Sequence, residues 1–212
     1  MANVSPRRGA LAAVALALGF AVARSAAGEG ARTVAAAALP QPAAPPTTAP
    51  AGPAAPRRPL DLPFALPPGP DTWLLGQPYG NTTGAYRQRR TTYGASGGIH
   101  FGVDLTAPCG TPVVAVADGV VFSVDAMNFG SAPHNVMIDH PDLGIASFYG
   151  HLRDRSPLVA GQAIGRGDPV GVVGDPGLTC RSRPHLHLEL RDLAHAKKFN
   201  PVTYIEADWD TL

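Results

Sequence analysis

The chain has 212 residues, with 17 Lys and Arg against 16 Asp and Glu, and a formal net charge of +1 at neutral pH. A balance so close to zero leaves no electrostatic footprint for nucleic acid or for an anionic membrane surface, and neither is expected as a partner. The length fits one or two domains, and the uneven composition favours one, with most of the structural information in the second part.

Residues 1–27 read as a secretory signal peptide. Arg7 and Arg8 precede an apolar run from Leu11 to Val22, and small residues offer cleavage at Ala21-Val22-Ala23 or Ser25-Ala26-Ala27. The run is shorter than the ~20 residues a membrane span needs, so no span is expected in the mature chain, with an uncleaved anchor as the alternative. Residues 28–59, which include "LPQPAAPPTTAPAGPAAPRRP", have almost nothing large to bury and read as an Ala/Pro-rich disordered linker. Residues 60–212 form the folded unit, long enough for one hydrophobic core.

Within that unit, short apolar segments are punctuated by Gly, Pro and Asp, and no long stretch keeps a helical period. "TPVVAVADGVVFSV" predicts two strands joined at Asp118-Gly119 as a hairpin. "NVMID" and "IASFYGHL" flank a second turn at Pro141-Asp142-Leu143-Gly144, and "PVGVVG" predicts another strand. A single short helix is expected around Asp192 to Lys198, ended by Asn200-Pro201. The expected fold class is all-β, with antiparallel strands.

"PHLHLEL" carries the chemistry. As a strand it puts Leu186, Leu188 and Leu190 on one face and His185, His187 and Glu189 on the other. A core explains the leucines but not two imidazoles about 7 Å apart on the opposite face. Upstream, "GGIHFGVDLTAPCGTP" places His100 and Asp104 in a His-x-x-x-Asp pattern. On a straight strand these would lie ~13 Å apart, so the backbone must bend to bring them to one ion, and Gly97, Gly98 and Gly102 give it the freedom. Two imidazoles and a carboxylate, one histidine coming from His185-x-His187, make a three-ligand site with a vacant position, the pattern of catalytic zinc. The remaining histidine of the pair can hydrogen-bond the bound water or a developing oxyanion, and His151 in "YGHL" is a second such group. Glu189 can orient a ligand imidazole. His134, His140 and His195 match no ligand position and read as surface or loop residues.

In this order and spacing, "HFGVD", "APCGTPVVAVADGVV", "YGHL" and "PHLHLEL" resemble the lysostaphin-type (LytM-like) zinc metallopeptidases over roughly Gly97 to Leu190. The resemblance implies an antiparallel β domain with few short helices, whose sheet floors a long active-site groove. It implies a secreted zinc endopeptidase of the bacterial cell envelope, acting on the stem or bridge peptides of peptidoglycan and expected to be monomeric. It makes His100, Asp104 and His187 the ligands of one zinc and His151 and His185 the catalytic pair, without choosing the general base between them. A tyrosine just before the first histidine often binds the scissile carbonyl in this family, and Tyr93 is the residue nearest that position. The loop "GDPGLTCRSRPHLH" departs from the family in carrying Cys180, Arg181 and Arg183 where small residues are usual. Cys109 and Cys180 are the two cysteines of an exported chain, in loops beside the two metal motifs, and are expected to form a disulfide. Arg87, Arg89, Arg90, Arg181 and Arg183 are candidates to line the groove and meet substrate carboxylates, and Leu60 to Pro70 is a candidate to lie across it. The alternative function is a non-catalytic or regulatory wall-binding module that activates other hydrolases, which typically lacks metal ligands. A 2-His-1-carboxylate iron oxygenase ranks last, because its His-x-Asp spacing is not met.

Overall fold

Alternating apolar residues set the strands, and the core closes on the face they share. The computed structural model describes residues 58–90 and 97–212, so the expected signal peptide, nearly all of the linker, and Tyr93 lie outside the described residues. In chain order the strands among the described residues are β1 (Leu74–Gln77), β2 (Gly80–Asn81), β3 (Ile99–His100), β4 (Val103–Thr106), β5 (Pro112–Val114), β6 (Gly119–Val124), β7 (His134–His140), β8 (Ile145–Leu152), β9 (Ala163–Ile164), β10 (Pro169–Val172), β11 (His185–Asp192) and β12 (Lys198–Phe199), with one short α-helix, α1 (Thr83–Gln88), and single 3-10 turns at Met127–Phe129, Pro141–Leu143 and Pro201–Thr203. An antiparallel sheet runs in the order β1-β4-β11-β8-β7-β6-β9, and β12 pairs with the end of β11. The β5–β10 and β2–β3 pairs stand apart from it. The all-β antiparallel expectation holds.

β11 is central, and Leu186, Leu188 and Leu190 are wholly buried on one of its faces. They pack in one cluster with Val103 and Leu105 of β4, Tyr149 of β8, and Val113 and Val170 of the small β5–β10 sheet. Truncating Leu188 to Ala would cost about 2–5 kcal/mol, because a site this tightly enclosed cannot collapse around the void.

The β7–β8 hairpin forms as expected, with Gly144 left-handed at φ 66° in its turn. The hairpin predicted over "TPVVAVADGVVFSV" does not form. β5 pairs with β10, and β6 pairs with β7 and β9. Remote segments take the backbone groups that the hairpin would have used: Val114 N–H donates to Pro63 O, Ala115 N–H to Asp168 O, and Val116 N–H to the Tyr149 hydroxyl. The Asp118 carboxylate accepts the Arg166 N–H at 2.7 Å. Gly119 is glycine because a Cβ there would collide with the Asp139 carbonyl of β7, not because a hairpin turns at it.

The expected helix at Asp192 to Lys198 is also absent. Asp192 accepts the N–H groups of Ala196 and Lys197, His195 adopts φ 59°, and the chain then pairs as β12 against Leu190 and Arg191. The helix lies instead at α1, where the Thr82 side chain caps Ala85 N–H at 3.1 Å and Ala85 is buried. Leu60 to Pro70 does not cross the groove: Leu60 bridges to Ile205 in the core, and Phe64 stacks on Trp73 with ring centroids 5.3 Å apart.

His140 is likewise a core residue rather than a surface one, only 1% exposed. Its Nδ1–H donates to Asp118 O at 2.7 Å, so its Nε2 accepts from the Ser147 hydroxyl at 2.8 Å, and Ser147 Oγ in turn lies 3.1 Å from the Tyr149 hydroxyl. Burial pushes the His140 pKa down, against the opposing pull of the Asp118 carbonyl. A depressed folded pKa means that the unfolded chain takes up the proton first, so stability falls as pH drops below about 6.5, by up to ~1.4 kcal/mol per pH unit. Urea unfolding at pH 7.5 and 5.5 is expected to show a smaller pH dependence for His140→Asn than for the wild type; an equal dependence would contradict this role.

Candidate metal centre and active site

The antiparallel register sets Asp104 of β4 directly opposite His187 of β11, with His185 opposite Thr106. Opposed residues share a face, so the carboxylate and the imidazole meet on the side away from the leucines. His100 joins them through the bend between β3 and β4. Gly102, in that bend, is needed for close approach: a Cβ there would strike the Leu188 carbonyl of β11.

The result is a converged donor set. His100 Nε2 lies 3.0 Å from Asp104 Oδ1 and 3.1 Å from His187 Nδ1, which is 2.7 Å from the same oxygen. The other nitrogen of each ring is already committed as a donor, His100 Nδ1–H to Pro78 O at 2.8 Å and His187 Nε2–H to Glu189 Oε1 at 3.0 Å. Two ring nitrogens without their protons therefore face each other beside an anionic oxygen, a contact that only a proton or a cation can bridge. Burial opposes charge on Asp104, but its bonds to the two histidines outweigh burial and hold the carboxyl well below the usual range. Burial is outweighed at His187 too, where the Asp104 and Glu189 carboxylates push the pKa up to about 9. A field that favours a proton at this point also favours a metal ion. The residues fit one divalent cation, with two imidazoles and one carboxylate as donors.

His185 and His151 stand beside this cluster. His185 Nε2 is 3.7 Å from Asp104 Oδ1, and the His151 and His185 rings lie 4.8 Å apart. The strand alternation of β8 would send His151 toward the core with Ser147 and Tyr149, but its backbone is left-handed at φ 59° and turns the ring to the metal side, 5.9 Å from the His187 ring. Each ring is oriented by a main-chain acceptor, the Nδ1–H of His151 on Ala132 O and that of His185 on Arg183 O. Both Nε2 atoms remain available to the groove. Burial, followed by the charge at His187, pushes the His151 pKa down to about 3, so its imidazole is a neutral acceptor.

The groove is a string of hollows over this cluster. One hollow, bounded by Ile99, Phe101 and Ala132, shares His100, His151 and His187 with the central one, and the central one shares Gln77, Asp104, Arg183 and His185 with the third.

The profile of Peptidase family M23 matches residues 98–201, which include every candidate ligand and both flanking histidines. The catalytic domain of the prophage-encoded M23 protein EnpA from Enterococcus faecalis, solved as a single-site mutant, is 31% identical with a TM-score of 0.50, over 66% of this chain and 97% of that one. The chain belongs to peptidase family M23. Among curated relatives, DD-carboxypeptidase/endopeptidase Mpg of Neisseria meningitidis is 40% identical over 106 residues, which is 50% of this chain and 22% of Mpg. An uncharacterized metalloprotease of Haemophilus influenzae is 36% identical over 104 residues, 49% of this chain and 20% of that protein. The M23 chain thus spans about a fifth of the length of these curated relatives. The lysostaphin-type resemblance read from the motifs holds.

The M23 site has a supporting layer that sequence reasoning reached only in part. Glu189, anticipated as an orienting group, also binds Arg191, whose Nε and Nη2 hold its Oε2 at 2.8 and 2.7 Å. The Arg191 guanidinium lies over the Phe129 and Phe148 rings, 5.1 and 4.8 Å from their centroids. Arg191 escaped notice because a strand arginine next to a loop ordinarily faces water; its only signal was membership of the His-His-Glu face by period two. The expected Cys109–Cys180 disulfide is present, with Cα atoms 5.6 Å apart, and ties the loop before β11 to the loop after β4. Of the five candidate arginines, Arg183 borders the groove hollows, whereas Arg89 is folded over the Tyr86 ring at 3.4 Å.

If Glu189 fixes the tautomer of His187, Glu189→Gln should weaken divalent metal binding by about 10- to 100-fold. Competition against a chromophoric chelator, with circular dichroism to verify the fold, reads this directly. Unchanged affinity would contradict it.

Proposed function

We propose that this M23 chain is a secreted zinc-dependent endopeptidase that hydrolyses peptide cross-links of bacterial peptidoglycan. The observation that carries the reading is the convergence of His100, Asp104 and His187 on one point, with two further oriented imidazoles beside it in an open groove. Two nitrogens, one oxygen and an open side suit zinc with a vacant fourth position, one ion per chain. A cation held there supplies Lewis acidity at the scissile carbonyl and lowers the pKa of a bound water. The name of the Neisseria relative, a DD-carboxypeptidase/endopeptidase, supports peptide bonds as the substrate. Cell-wall cross-links extend that reading and the lysostaphin-type resemblance. The regulatory alternative loses its premise, since no ligand position is substituted.

The roles follow from protons at stated atoms. Because His151 and His185 each spend Nδ1–H on a main-chain carbonyl, each presents Nε2 to the groove. The unprotonated Nε2 of one takes a proton from the attacking water. The other, as N–H, donates to the oxygen on which charge develops, and the leaving amine recovers the first proton. Asp104 and His187 bind no substrate in this scheme.

Secretion is part of the proposal, with residues 1–27 as signal, 28–59 as linker and 60–212 as the domain. The disulfide supports an oxidising compartment, and the bonds of Arg58 to Glu206 and Val202 support a folded boundary close to Leu60. No helix among the described residues is long and apolar enough to cross a membrane.

Release of new amino groups from purified peptidoglycan, measured beside metal content, tests the reading. His100→Ala and His187→Ala are expected to lose both metal and activity. His151→Ala and His185→Ala should keep the metal and lose at least ~100-fold in rate. Full activity in metal-free His187→Ala would overturn the proposal.

A further inference from the structure

We propose that Arg183 selects the substrate of this groove by pairing with a free carboxylate on the peptide, close to the scissile bond. The proposal rests on the peptidase reading and narrows it to anionic peptides.

The groove is asymmetric. At one end the hollow bounded by Ile99, Phe101, Ser131 and Ala132 has Glu189 as its one acidic or basic side chain besides the histidines, and Glu189 is consumed by His187 and Arg191. At the other end Arg183 borders both the third hollow and the central one that holds the five site residues. Its guanidinium forms no hydrogen bond or ion pair among the described residues.

The carboxylates of this region are already taken. Asp104 is held by His100 and His187, and Asp175 accepts from Gly177 N–H, the Thr179 hydroxyl, and both the N–H and hydroxyl of Ser182. Arg183 is thus an exposed, unpaired cation bordering hollows whose own carboxylates are already bonded, which leaves it open to a carboxylate of the ligand. Arginine presents a planar fork that matches a carboxylate, which a lysine at the same place would not.

The position is fixed rather than incidental. The loop that carries Arg183 is knotted around Asp175 and tied to the strand side by Cys109–Cys180. Immediately after it, the Arg183 carbonyl orients His185 at 2.6 Å. A residue that stands two positions from a proposed catalytic histidine reaches a group roughly one or two peptide residues, at ~3.5 Å each, from the bond being cut. Candidate ligands are therefore peptides with a terminal or side-chain carboxylate at that distance.

Two synthetic branched peptides that carry a cross-link, identical except for a free carboxylate or a carboxamide on the residue that follows the scissile bond, test this on the full, zinc-loaded chain. Wild type is expected to prefer the carboxylate by about tenfold in kcat/KM, and less at high salt because the pair is solvent-exposed. Arg183→Gln should bring the ratio to about one with the carboxamide rate within about twofold of wild type, and Arg183→Lys should keep part of the preference. An unchanged ratio in Arg183→Gln, or an equal fall on both peptides, would overturn the proposal. If wild type cuts neither peptide, the peptidase reading fails for these substrates, and binding of the same pair followed by NMR titration still decides. Tighter binding of the carboxylate that is lost in Arg183→Gln upholds the pairing, and equal or undetectable binding of the two forms overturns it.

Discussion

Asp104 and His187 face each other across the antiparallel pairing of β4 and β11, and that one register underlies the site. A slip of one residue would turn His187 into the leucine core and bring a leucine to the metal side, since side chains alternate strictly along a strand. The register is held by Leu186, Leu188 and Leu190, all wholly buried, each contributing about 1.5–3 kcal/mol by leaving water. The polar half of β11 is therefore positioned by its apolar half, and the chemistry depends on packing several ångströms below it.

On the polar face the groups form a graded series. Arg191 is enclosed by the Phe129 and Phe148 rings and pairs with Glu189, which holds His187, which meets Asp104 and His100. A buried arginine–glutamate pair is not a cheap source of stability, because both ions lose their water. Its use here is orientation: with Nε2–H of His187 committed to Glu189, only Nδ1 can serve as a donor to a cation. His100 reaches the same state through the Pro78 carbonyl, and His151 and His185 through Ala132 and Arg183. Four imidazoles are thus fixed in tautomer by one carboxylate and three main-chain oxygens, which leaves their other ring nitrogens as unprotonated acceptors turned toward the groove.

Much of this was legible in the chain. Period-two alternation in "PHLHLEL" separated core leucines from the histidine face, and the glycines around His100 announced a bend. The bend was correctly expected, although Gly102 serves close approach to β11 rather than an unusual dihedral. What local sequence did not contain was the destination of backbone bonds. The stretch from Thr111 to Val124 looks like a hairpin because Asp-Gly favours one, yet Pro63, Tyr149 and Asp168 claim its N–H groups from far along the chain. The same limit hid the left-handed turn at His151, where strand alternation points the ring the wrong way, and the burial of His140, whose polar partners come from another strand and a distant loop. The helix misplaced at Asp192 was decided by Asp192 capping its own turn, whereas Thr82 and the buried Ala85 made one unforeseen at Thr83.

X-ray absorption at the zinc edge of the metal-loaded chain measures the central claim most directly, that His100, Asp104 and His187 hold one ion with a position left open. The account predicts only nitrogen and oxygen neighbours at about 2.0–2.2 Å, two of them imidazoles, in a coordination number near four. A sulfur neighbour near 2.3 Å, an imidazole count of three or four, or a protein that takes up no zinc would contradict it.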